Sequence, residues 1–145
     1  MEASRNILLV EDDENDVVLV QRALRKGGID VPIVVAHDGD EAVDYFLNAG
    51  QHAHDALQAL PTVVLLDLRL PKRSGLEVLE WLKNHERFAR VPVVVFTNSA
   101  EDRDVEQAYA LGANSYLKKP YTLAATTALL KTVSAYWIDH NVRAP

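Results

Sequence analysis

The chain contains no cysteine, which excludes disulfide staples, thiol catalysis and cysteine-ligated metal, and fits a reducing cytoplasm. Basic residues are outnumbered, with 15 Lys and Arg against 21 Asp and Glu and a net charge of -6. No long basic run offers a footprint for nucleic acid or acidic lipid. Apolar residues never run together for the length of about 18 that a membrane span needs, and Ile7 to Val10 is too short for a signal peptide. Aromatics make up only 7%, yet 48% of the chain is hydrophobic and 25% charged. That balance suits a soluble chain able to bury a core and argues against disorder. A length of 145 residues fits one domain over 1–145 with a core at about 6–138, and leaves no room for a fused kinase or DNA-binding module.

Short apolar runs alternate with amphipathic segments. Ile7-Leu8-Leu9-Val10 reads as a strand ending in the acids Glu11, Asp12, Asp13 and Glu14. From Asn15 to Lys26, Val17, Val18, Leu19, Ala23 and Leu24 return at helical spacing, and Gly27-Gly28 closes the segment. Val31 to Ala36 predicts a second strand, and Asp40 to Asn48 a second helix with Ala42, Val43, Phe46 and Leu47 inward. Nothing fixes the conformation of the polar stretch from Ala49 to Leu60.

Val63 to Leu66 and Val93 to Phe96 are apolar at every position, as strands buried on both faces must be. Ser74 and Glu77 have capping-box spacing before a helix to about Glu86, with Leu76, Leu79 and Leu82 as its stripe. Ser99 and Asp102 predict a second capping box before a helix through Val105, Ala108 and Leu111, stopped by Gly112. A strand over Asn114 to Leu117 and an amphipathic helix from Thr122 to about residue 139 complete the chain. Five strand–helix pairs predict a three-layer α/β sandwich on a parallel sheet, with its ligand beyond the carboxyl ends of the strands.

Glu11, Asp12, Asp67, Thr97 and Lys119 all fall at or just after predicted strand ends, so they converge on one edge. Three carboxylates brought together repel unless a cation compensates. A hard divalent ion such as Mg²⁺ suits two or three carboxylates plus a backbone carbonyl. His37, His52, His54, His85 and His140 lack the spacing of a zinc site. Lys119 and Thr97 add a point charge and a hydroxyl suited to a phosphoryl group accepted by Asp67.

Each feature has a plainer reading. A strand often ends in Asp, an acidic cluster often caps a helix, and Lys119-Pro120 alone would be a turn. Asp13, Glu14 and Asp16 take that plainer reading, as solvated acids at a helix start. The ordered combination carries the chemistry.

These residues resemble the receiver domain of two-component response regulators. The likeness rests on Ile7 to Asp12, on Val64 to Pro71 with Ser74-Gly75, on Val94 to Thr97, and on Gly112 to Pro120. It implies a flavodoxin-like sheet of order 2-1-3-4-5 and no enzyme activity beyond self-dephosphorylation. Asp67 would be the phosphoacceptor, Thr97 the switch hydroxyl, Lys119 the phosphate-contacting lysine and Tyr116 the switch aromatic. Glu11, Asp12, Asp67 and the Arg69 backbone carbonyl would hold Mg²⁺, or Mn²⁺ in its place. Asp13 is an alternative to Asp12 in alignment, but strand register favours Glu11 and Asp12. The Lys119–Pro120 bond is expected to be cis.

The sequence departs from minimal receivers in its long stretch from Ala49 to Leu60, in Asn98 after Thr97, and in a final helix extended past Tyr136 and Trp137. With these features the chain is similar to the single-domain regulators of bacterial and cyanobacterial phytochrome histidine kinases. The implied partners are a sensor histidine kinase, a downstream protein, and a second copy through the face of the fourth helix, fifth strand and last helix. Tyr109, Tyr121, Tyr136 and Trp137 belong either to the core or to that face. A phosphorylation-independent adaptor is the first rival. A Mg²⁺-dependent phosphoesterase is the second, and Arg69 stands where it would need an acid.

Overall fold

The structure, a computed structural model, describes residues 5–49 and 59–145. Its five strands are β1 (Ile7–Val10), β2 (Ile33–Ala36), β3 (Val63–Leu66), β4 (Val93–Thr97) and β5 (Ser115–Lys118). They form one parallel sheet in the order β2-β1-β3-β4-β5. The helices are α1 (Glu14–Lys26), α2 (Gly39–Asn48), α3 (Gly75–Asn84), α4 (Asp102–Ala110) and α5 (Leu123–Ser134). The expected flavodoxin-like sandwich is the one found.

Because β1, β3 and β4 are apolar at every position, alternate side chains feed two cores. Leu8, Val10, Val64, Leu66, Val93 and Val95 pack against α2, α3 and Ala108 of α4, around Phe46, Leu79, Leu82 and Phe88. Ile7, Leu9, Val63, Leu65, Val94 and Phe96 pack on the opposite side with Val17, Val20, Leu24, Leu130 and Val133.

Helix faces were harder to anticipate than strands. Leu47 is exposed rather than inward, Val18 is exposed too, Val20 is buried in α1 beside Val17, Ala23 and Leu24, and Ala108 is the buried residue of α4. Where apolar residues are contiguous, helical period alone does not say which of them faces the sheet.

Ser74 caps α3 as its spacing predicts, accepting from the Glu77 N–H at 3.2 Å. The second capping box does not form. The N-cap of α4 is Glu101, without a side-chain cap bond, because the Ser99 hydroxyl is turned to Asp104 at 2.5 Å. Gly112, at φ 106°, provides the left-handed turn after α4.

The last helix also differs from expectation. It is α-helical to Ser134 and continues as a wider π-helical turn over Ala135–His140. That turn seats Ile138 in the core with Trp137 against it and leaves Tyr136 outside. Tyr109 and Tyr121 are exposed as well. Below the sheet, the buried Asn6 accepts from the Thr62 N–H and donates to Tyr45 and to the carbonyl of Ala59. The polar stretch whose conformation the sequence leaves open, a helix extension or a longer loop, largely falls on 50–58, outside the described residues. No helix among the described residues is long and apolar enough to cross a membrane.

Candidate functional site

The parallel register aligns the carboxyl ends of β1, β3 and β4: Val10 lies beside Leu66, and Leu66 beside Val95. Backbone bonds then carry the ladders one residue further. The Glu11 N–H donates to the Ala36 carbonyl at 2.9 Å, Asp67 N–H to Val10 at 3.1 Å, and Lys119 N–H to Thr97 at 2.8 Å. Each functional side chain therefore leaves a fixed stretch of backbone. Gly75 lets the start of α3 close on this backbone, since a Cβ there would lie 2.1 Å from the Asp67 carbonyl oxygen.

One carboxylate oxygen each from Glu11, Asp12 and Asp67 falls within a span of 4.8 Å. Glu11 and Asp67 are buried and Asp12 is exposed, so the cluster opens to solvent on one side. The Thr97 hydroxyl donates to Asp67 Oδ1 at 2.9 Å. Lys119 Nζ donates to Asp67 Oδ2 at 3.0 Å, to Asp16 at 2.8 Å, and to Glu11 in a short contact. The Arg69 N–H reaches Asp67 Oδ1 at 3.2 Å.

Burial pushes the Glu11 carboxyl up to about 7 and the nearby Asp67 charge adds to this, while the Lys119 bond opposes it. For Lys119 burial works against the charge, but its bonds to Asp16, Glu11 and Asp67 outweigh that and raise its pKa. The site thus holds more acid than one lysine satisfies. Three oxygen donors around an open side are the set a hard divalent cation takes, so the residues fit Mg²⁺ or Mn²⁺.

Tyr116 lies on the adjoining strand, half-buried, with its hydroxyl donated to the Ser99 carbonyl at 2.7 Å. Burial raises its pKa. Asn98 is exposed and lines a cleft of about 350 Å³ with Asp16, Lys119, Pro120 and Tyr121.

Two expectations need correction. No peptide bond among the described residues is cis, so Lys119–Pro120 has the lower-energy trans form. The bond to Thr97 and the three carboxylates aim the lysine without it. Asp16, read as a solvated acid, is a direct partner of Lys119. Its neighbours keep the plainer role: Asp13 caps α1 by accepting from the Asn15 and Asp16 N–H groups, and Glu14 lies on the exposed side at 4.0 Å from His37.

Comparison with known proteins agrees with this geometry. The response regulator receiver domain family matches residues 7–131. The "Probable methanogenesis regulatory protein FilR2" of Methanothrix harundinacea is 41% identical over 93% of this chain and 84% of its own length. The crystal structure of the phosphorylated cyanobacterial phytochrome response regulator RcpA superposes with a TM-score of 0.85 at 33% identity, covering 99% of this chain and 100% of that one. The Mn²⁺-bound form of response regulator Rcp1 gives a TM-score of 0.82 at 33% identity, covering 98% and 99%; Rcp1 is from Synechocystis. With strand order, acidic edge and family match in agreement, the chain belongs to the response regulator receiver domain family.

Proposed function

We propose that the chain accepts a phosphoryl group from a phosphohistidine onto Asp67. The observation that carries this is the shared edge: Asp67 has one oxygen bonded to Thr97 and the other to Lys119, beside two further acids. A carboxylate oxygen of Asp67 attacks phosphorus and the P–N bond to the donor imidazole breaks. The bonding pair returns to the ring nitrogen, and Asp67 becomes an aspartyl phosphate. Lys119 and the Thr97 hydroxyl neutralise the developing charge on the transferred oxygens. Glu11, Asp12, Asp67 and the Arg69 backbone carbonyl would hold Mg²⁺, which supplies further charge neutralisation when bound.

The product adds roughly two negative charges beside Thr97. Thr97 and Ser99 lie on the same short stretch, and Ser99 holds the Tyr116 hydroxyl. Drawing Thr97 toward the phosphoryl group therefore shifts Tyr116 and the face of α4, β5 and α5, a population shift between two packings. That face carries the output: a second copy or a downstream protein. Exposed Tyr109 on α4 supports an interface there, and sedimentation with and without beryllofluoride tests for the dimer.

Receiver domains of this kind work with sensor histidine kinases. Similarity to RcpA and Rcp1 supports a phytochrome-type kinase as the donor. Intact mass after incubation with acetyl phosphate and Mg²⁺ tests the reading. An added phosphoryl mass that disappears with chelator and in Asp67→Asn is expected; an adduct retained by Asp67→Asn overturns the assignment.

A further inference from the structure

Lys119 is fully committed before any phosphoryl group arrives. An ammonium has three N–H donors, and here they go to Glu11, to Asp16 at 2.8 Å and to Asp67 at 3.0 Å. Phosphorylation turns Asp67 itself into the acyl phosphate, so the bond to Asp67 passes to the new group; the phosphoryl oxygens bring further acceptors, and Lys119 serves a second of them only by surrendering Glu11 or Asp16.

The partners are not equivalent. The Glu11 side chain is 2% exposed and the Asp16 side chain 30% exposed. Stripping Glu11 of its donor would strand a buried carboxylate, which is costly. Releasing Asp16 hands a carboxylate to water at the mouth of the cleft that Asp16, Asn98, Lys119 and Tyr121 line, where ion pairs are weak. The position of Asp16 explains its reach. It stands one helical turn before buried Val20, whereas Glu14 stands one turn before exposed Val18.

We propose that Asp16 is a positioning residue that occupies one donor of Lys119 in the resting protein and gives it up to the phosphoryl group, so that the two compete. The inference rests on Asp67 being the phosphoacceptor. Asp16 touches no reacting atom and acts through Lys119 alone. Its carboxylate therefore sets how readily the phosphorylated state forms, and neutralising it favours that state.

Beryllofluoride, a stand-in for the phosphoryl group, provides the test. It is titrated at fixed saturating Mg²⁺ into the wild type, Asp16→Asn, Asp16→Glu and Glu14→Gln, and binding is followed by fluorine NMR. Asp16→Asn is expected to bind about three- to tenfold more tightly, the worth of an exposed charge-assisted bond no longer in competition. Asp16→Glu, which keeps a carboxylate able to reach the ammonium, stays close to wild type. Glu14→Gln removes the same charge from the same turn without touching Lys119 and leaves affinity nearly unchanged. Equal or weaker binding by Asp16→Asn overturns the inference, as does equal tightening in Asp16→Glu or Glu14→Gln. If the wild type binds no beryllofluoride, the phosphoacceptor reading falls and takes the inference with it; wild-type binding without the Asp16→Asn gain removes the inference alone.

Discussion

Thr97 and Lys119 divide the two oxygens of Asp67 between them, the hydroxyl on Oδ1 and the ammonium on Oδ2. Removing the hydroxyl leaves Oδ1 with the Arg69 N–H at 3.2 Å. Thr97→Ala should therefore weaken beryllofluoride binding by about ten- to a hundredfold, the worth of one buried hydrogen bond to a charged group, without unfolding the protein. A second prediction concerns Lys83, whose ammonium donates to the carbonyls of Ala89 and Val91 and to Asn114 Oδ1. Burial lowers its pKa below the ordinary 10.5. Below its lowered pKa the native state pays this desolvation in full. As pH rises from there toward 10.5, the folded state releases the proton first, and the penalty disappears. Urea titrations of the wild type and Lys83→Met should show the difference in stability moving in the wild type's favour across that window; a constant difference contradicts it. At this scale the strand-end residues were legible because an apolar run pins its successor. Asp16 was not, because one acid in a run of acids looks like the next until helical phase separates it.

Among the elements, capping distinguishes α3 from α4. Ser74 supplies a true side-chain cap and Glu101 does not. Ser74→Ala should cost about 1 kcal/mol and Glu101→Ala close to nothing, as measured by chemical denaturation. The spacing of Ser99 and Asp102 is a fair signal for a cap, but Asp104 in the first turn of α4 takes the Ser99 hydroxyl and Tyr116 of β5 takes its carbonyl. Which residues start a helix is readable locally; what else competes for their side chains is not. The same limit applies at the carboxyl end, where Tyr136, Trp137 and Ile138 predict continued helix, and packing of Ile138 and Trp137 on the core accompanies a π turn.

For the molecule as a whole, the pattern of buried strands predicts a parallel sheet and the family likeness implies its order, and two cores on opposite faces of the sheet hold the strand ends in line. The acidic edge is the exception to that internal consistency. Glu11, Asp12 and Asp67 crowd together, and both burial and the Asp67 charge push Glu11 up, a repulsion that a divalent cation would relieve. Mg²⁺ at about a hundred times its Kd should stabilise the protein by about 2.7 kcal/mol, an effect reversed by chelator and diminished in Asp12→Asn. Equal thermal midpoints with and without Mg²⁺ would count against the edge as a cation site.

The most direct test locates the phosphoryl group itself. The protein is treated with acetyl phosphate and Mg²⁺ and reduced with borohydride, which converts an aspartyl phosphate to homoserine, and the peptides are then sequenced by tandem mass spectrometry. Homoserine at position 67 alone is the predicted result. Homoserine at position 12 or 16 with Asp67 intact would contradict the account.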